Sequence, residues 1–141
     1  METANPATVM FVDDDPSVLS GLERTLRPWR DDFNMVFICG APAALVYTGI
    51  RAVDVVVTDM VMPLLDGKQL IERLRERNPD IAFIVLSGRC DGDLVESLTD
   101  DDVVFVAKPA SAATLQVLIN DAIDSLMVRK VQAGAYAENQ A

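Results

Sequence analysis

Five short stretches of this chain are apolar almost without interruption: residues 8–12, 35–38, 53–58, 82–86 and 103–107. A strand with one face in water alternates polar and apolar side chains. A continuous Val- and Ile-rich run instead implies cover on both faces. Helix signals fill the intervals. Asp15-Pro16 reads as a cap followed by proline at the first helical position, and Val18, Leu19, Leu22 and Leu26 recur at helical spacing. Leu70, Ile71 and Leu74 do the same within Gly67–Arg77, and Asn78-Pro79 stops that run. Ser111 caps the strongest stripe, which passes through Leu115, Leu118, Ile119, Ala122, Ile123, Leu126 and Met127. Residues 41–49 and 91–98 are weaker helix candidates. Alternation with short connections gives (βα)5, and right-handed crossovers wind it into a doubly wound parallel sheet with helices on both faces.

With 141 residues, half of them hydrophobic, the chain suits one compact domain. The expected division is an N-terminal extension at 1–7, the domain at 8–130, and a disordered tail at 131–141, where periodicity is lost. Trp29 follows Pro28 where the first helix should end, and reads as a packing residue. No apolar run approaches the ~20 residues of a membrane span, so no membrane insertion is expected. The start, METANPATVM, lacks the basic and apolar parts of a signal peptide, which makes cytoplasmic residence the expectation. Cys39 and Cys90 lack the spacing of a zinc or redox pair. A net charge of −10 argues against direct nucleic-acid binding. Histidine is absent, which excludes Ser-His triads and His-zinc sites. Any chemistry must run on carboxylates, lysine and hydroxyls.

Those groups collect at one end of the strands. The first run leads into Asp13, Asp14 and Asp15, the third into Asp59, the fourth into Ser87 and the fifth into Lys108. Open α/β sheets bind ligands beyond the carboxyl ends of their strands, at the switch point of the winding. With the order 2-1-3-4-5, strands one and three are neighbours, and Asp13, Asp14 and Asp59 crowd together. Two carboxylates about 5 Å apart repel by roughly 3 kcal/mol at an effective dielectric of 20, so the cluster calls for a cation. Oxygen ligands without His or Cys favour Mg²⁺ or Mn²⁺. Lys108 lies two strands from Asp59, about 10 Å, a gap that its side chain covers in part and a group mounted on Asp59 would complete. Carboxylate, cation, ammonium and hydroxyl around one point suit a phosphoryl group.

The segments FVDDDP, TDMVMP, VLSG and VAKP resemble, in order and spacing, the four motifs of bacterial two-component response regulator receiver domains. The likeness runs over residues 8–130 and is chemotaxis-regulator-like in outline. It implies a flavodoxin-like three-layer sandwich in which Asp59 is the phosphoacceptor for a sensor histidine kinase, a phosphotransfer protein or a small phosphodonor. It further implies Asp14 as direct metal ligand, Asp13 as a ligand through water, and the Val61 backbone carbonyl as a third donor. That role helps explain the apolar turn after Asp59, whose side chains are expected to face inward. Lys108 would pair with the phosphoryl group and precede a cis proline. Ser87 would reach a phosphoryl oxygen, Phe105 would be the aromatic switch, and Gly88 would keep the approach open. The only catalysis implied is the domain's own phosphorylation and dephosphorylation.

Plainer readings stand beside these. Asp15 can serve only as a cap, though capping uses one carboxylate and leaves two. Ser87 can be an ordinary strand-end serine, Phe105 plain core, and Asp100 to Asp102 a solvated turn. The stripe from Leu115 is core first, with room toward Val131 for a partner or homodimer contact. TDDDVVF departs from the small turn usual before the fifth strand, and the fourth helix is weak. No output domain is expected after residue 111, so signalling would pass through an unidentified downstream protein, a relay, or a longer parent chain. Two other functions remain open. One is a phosphatase similar to haloacid dehalogenases, using Asp13, Asp15, Ser87 and Lys108. Against it, the acidic pair it needs beyond the lysine could only be Asp121 and Asp124 inside the last helix, and Asp59 would be idle. The other is an adaptor that keeps the fold without taking phosphate.

Overall fold

The computed structural model describes residues 6–88 and 103–140, with side chains described as far as residue 134. The weak fourth helix, Cys90 and Asp100 to Asp102 fall outside the described residues. Five strands form one parallel sheet: β1 Thr8–Asp13, β2 Asn34–Cys39, β3 Val55–Asp59, β4 Ala82–Ser87 and β5 Val103–Ala107. Their order is β2-β1-β3-β4-β5. The helices are α1 Pro16–Leu26, α2 Ala41–Ile50, α3 Gly67–Arg77 and α4 Ala112–Gln140, and a 3-10 turn at Arg27–Trp29 follows α1.

The apolar runs sit where their two-sided cover predicts. Every residue of β3 is buried. Helices α2 and α3 close one face, packing Ala41, Ala44, Leu70, Ile71 and Leu74 on Met10, Val56 and Phe83. Helices α1 and α4 close the other, setting Leu19, Leu26, Leu115 and Ile119 on Phe11, Val57 and Ile84. Phe11 and Phe37 stack across β1 and β2, with centroids 4.9 Å apart. Trp29 joins this second face as a partly buried packing residue.

Local chemistry fixes the helix starts. Asp15 caps α1 by accepting the Ser17 N–H at 2.9 Å. Asp66 and Gln69 cap α3 reciprocally, each side chain taking the other's backbone N–H at 2.8 and 3.0 Å. Ser111 Oγ accepts the Thr114 N–H at 3.1 Å and starts α4. Two boundaries differ from expectation by more than one residue. The third strand begins at Val55, because Asp54 is used as an acceptor: its side chain takes the Thr8 N–H at 2.8 Å. Helix α4 continues to Gln140, past the expected stop near Lys130. Residues 131–140 lack an apolar stripe, but Ala, Gln and Glu favour helix without one and outweigh Gly134 and Asn139.

The turn after β3 divides its side chains. Met60 and Met62 are buried, whereas Val61 is 55% exposed and Leu64 88% exposed. The expectation that these apolar residues face inward therefore holds for the two methionines and fails for Val61. The chain is pinned by Met60 N–H to the Leu86 carbonyl and by Gly67 N–H to the Met60 carbonyl, so alternate residues must turn out. Leu64 sits at φ 72, inside a tight turn closed by Leu65 N–H on the Pro63 carbonyl at 2.8 Å. A left-handed L-residue costs roughly 1–2 kcal/mol. Leu64→Gly removes that strain and an exposed leucine, against some added chain entropy. It is expected to stabilise the fold by about 0.5–1 kcal/mol, read as a higher urea midpoint at unchanged slope.

Candidate phosphoryl site

Pairing of Val12 with Thr58 sets Asp13 and Asp59 level at the ends of adjacent strands. Both are buried, at 5% and 6% exposure, while Asp14 faces solvent. One carboxylate oxygen from each of the three lies within 4.8 Å of the others. Such a cluster could hold a metal ion. Its donors are all oxygen, it opens to water through Asp14, and Asp59 Oδ1 is buried. The charge beside that oxygen is Lys108, whose Nζ lies 2.6 Å away. This corrects the expected gap: lysine reaches Asp59 with nothing mounted on it. An ammonium that is 42% exposed at the side chain keeps part of its hydration while offsetting a carboxylate cluster.

Backbone contacts hold the groups in place. Asp13 Oδ1 accepts the Asp15 N–H at 2.9 Å, and Lys108 N–H donates to the Ser87 carbonyl at 2.9 Å. The Lys108–Pro109 peptide is cis, as the resemblance implied. A cavity of about 510 Å³ opens over Asp13, Asp14, Asp59 and Lys108, with Val18, Leu22 and Pro109 on its apolar side. Ser87 is half-buried at the end of β4, one residue past the Leu86 that pairs with Asp59. It is not among the described residues lining that cavity. Phe105 is partly buried and packs on the α2–α3 side.

Three supporting residues were not assigned these roles from the sequence. Thr58, fully buried, donates its hydroxyl to the Asp59 carbonyl at 3.0 Å, and its hint was a hydroxyl within a valine run. Cys39 pairs in register with Asp13, and its sulfur lies 3.5 Å from the Asp14 carbonyl. Gly67 packs directly against the backbone of Asp59 and Met60. Nothing in the spacing announced either contact.

Burial, more than anything else, raises the Asp13 carboxyl above its ordinary value. The Asp15 N–H opposes that shift, Asp59 and Asp14 reinforce it, and Lys108 opposes it. A folded pKa above the unfolded one means that the native state holds this proton more tightly. Stability from Asp13 is therefore greatest at low pH and is lost as pH rises from the unfolded value through the folded one. Asp13→Asn keeps the acceptor for Asp15 and removes the charge. In chelator-treated protein at neutral pH it is expected to gain about 1 kcal/mol, roughly 4 °C in Tm, and to flatten the melting profile on the acid side.

The pattern described as Response regulator receiver domain matches residues 9–120. The chain belongs to the response regulator receiver domain family. As a receiver it is 31% identical over 125 residues to the sensor kinase CckA of Brucella abortus, covering 87% of this chain and 13% of that one. It is 37% identical over 108 residues to the transcriptional regulatory protein PrrA of Mycobacterium leprae, covering 76% of this chain and 46% of that one. It thus spans from about an eighth to about half the length of such curated relatives. Among solved structures, a response regulator receiver domain protein from Clostridium thermocellum superposes with TM-score 0.78 at 26% identity, covering 86% of this chain and 98% of that one. A chain titled adenylate cyclase from Rhodopirellula baltica gives TM-score 0.82 at 25% identity, covering 95% and 98%. The receiver is a module of two-component systems with an acidic pocket built from Asp13, Asp14 and Asp59. Among the described residues no helix is long and apolar enough to cross a membrane.

Proposed function

We propose that Asp59 accepts a phosphoryl group from the phosphohistidine of a sensor kinase or phosphotransfer protein, or from a small donor such as acetyl phosphate. The observation that carries this reading is a buried carboxylate level with Asp13 and in contact with the Lys108 ammonium at 2.6 Å. An Asp59 oxygen attacks phosphorus as the P–N bond of phosphohistidine breaks, or the P–O bond of acetyl phosphate, and the donor leaves with that electron pair. Lys108 then exchanges its carboxylate partner for a phosphoryl oxygen. The Ser87 hydroxyl donates to another such oxygen, and Phe105 follows it inward from its partly buried position. Asp14, Asp59 and the Val61 carbonyl would hold Mg²⁺ or Mn²⁺, with Asp13 acting through water. The ion supplies positive charge to the carboxylates and to the incoming phosphoryl oxygens.

Catalysis in this reading is confined to the domain's own modification and its reversal. Phosphorylation adds a charge of about −2 beside Lys108 and Ser87 and biases which protein docks. Relatives named as sensor kinase and as transcriptional regulators carry a matching segment, which supports a transferable module whose output lies in another protein or another part of a longer chain. We take the working unit as residues 8–130, preceded by a short extension, with residues 131–141 outside it, and place it in the cytoplasm with its phosphodonors. The test is intact mass after incubation with acetyl phosphate. One phosphoryl group is expected with Mg²⁺ and none with a chelator; no adduct under either condition leaves the adaptor reading.

A further inference from the structure

Strand β2 closes one edge of the sheet, and among the described residues no strand pairs with its outer side. Proteins usually blunt such an edge with charge, proline or a covering element. Here the edge reads NMVFIC, with no charged residue and no proline, and its four central residues are only half-buried. The neutral stretch is longer than the strand: residues 33–50 contain no Asp, Glu, Lys or Arg. That includes all of α2, whose Pro42, Ala43, Val46, Gly49 and Ile50 face solvent, Val46 at 66% and Ile50 at 77% exposure.

Grooves flank this strand on both faces of the sheet. One of about 560 Å³ lies on the α2 side, against Val36, Tyr47 and Ile50, with Asn34 and Arg51 as its polar lining. One of about 230 Å³ lies on the α1 side, against Met35, Phe37, Glu23, Arg27 and Arg30. An added strand sends alternate side chains to opposite faces, so an open ladder between two grooves suits strand addition.

We propose that β2 pairs antiparallel with β2 of a second copy of this chain, about a two-fold axis perpendicular to the sheet. Charge favours that occupant. Two copies at −10 each repel, and this edge lets them meet through an uncharged strand and helix. Side-chain parity favours it too. Such an axis preserves the faces, so the partner strand turns Val36 and Ile38 to the α2 side and Met35 and Phe37 to the α1 side, apolar against apolar. A residue must then pair with its own copy, and Val36 or Phe37 falls on the axis. The product is a continuous ten-stranded sheet in which the two Asp59 sites open at opposite ends. The inference does not depend on phosphorylation.

Sedimentation of the full chain with chelator, between about 5 and 300 μM, tests it. A reversible monomer–dimer equilibrium is expected. The exposed double substitution Val46→Lys with Ile50→Lys should weaken it at least ~10-fold without lowering Tm, and Val36→Lys at the edge should do the same. Val117→Lys, at a 53% exposed position on α4, should leave it unchanged. A monomer at every concentration overturns the proposal, whether the edge serves another protein or none. So does a dimer that Val117→Lys dissociates and the Val46 and Ile50 substitutions do not.

Discussion

Asp59→Asn is expected to take up no phosphoryl group from acetyl phosphate and Mg²⁺ under conditions where the wild type gains one. The loss should be at least ~100-fold, because an amide oxygen is a far weaker nucleophile than a carboxylate and cannot form a stable acyl phosphate. The substitution is nearly isosteric, keeps the backbone contacts of Thr58 and Gly67, and removes the charge that faces Lys108 at 2.6 Å. Circular dichroism and Tm separate loss of chemistry from loss of fold. Asp13→Asn is the paired measurement. An adduct that survives Asp59→Asn and disappears with Asp13→Asn would move the nucleophile to β1 and favour the dehalogenase-like phosphatase reading.

Gly67→Ala should cost about 2–4 kcal/mol, roughly 10 °C in Tm, although the residue has no side chain and takes no part in the chemistry. A Cβ there would stand 2.7 Å from the Asp59 carbonyl oxygen, 3.0 Å from Met60 Cα and 3.3 Å from the Met60 carbonyl oxygen. All three are backbone atoms, so no flexible side chain can yield. The reciprocal cap of Asp66 and Gln69 holds the α3 end, and Met60 N–H on the Leu86 carbonyl holds the other. Relief must come from shifting Asp59 itself, so phosphoryl uptake should fall along with stability. Gly21→Ala provides the contrast. Nothing lies within 4 Å of its Cβ position, and α1 should gain a few tenths to about 1 kcal/mol. Equal melting temperatures for the two variants would refute the close-packing argument.

The strands were legible because burial on both faces leaves a direct compositional trace, and β3 carries it at every position. The site was legible because parallel strands deliver their C-terminal residues to one edge, which brings Asp13, Asp14, Asp59 and Lys108 together. Distances of a few ångströms were not. Strand spacing alone put Lys108 out of reach of Asp59, whereas a flexible side chain beside uncompensated acids closes on them. The outward turn of Val61 and the positive φ of Leu64 arise from two backbone hydrogen bonds that pin a short loop, and residue type carries no record of those. The extension of α4 to Gln140 was missed for another reason: the sequence signals a helix through its apolar stripe, and residues 131–140 carry none.

That last helix has a mechanical consequence. Its 29 residues make a rod of about 43 Å, rooted four residues after Lys108, while the strands it lies against are five or six residues long. Leverage follows from the proportions. A pivot of 5° at the Ser111 end would sweep the Gln140 end through about 4 Å, enough to break or make a packed contact there.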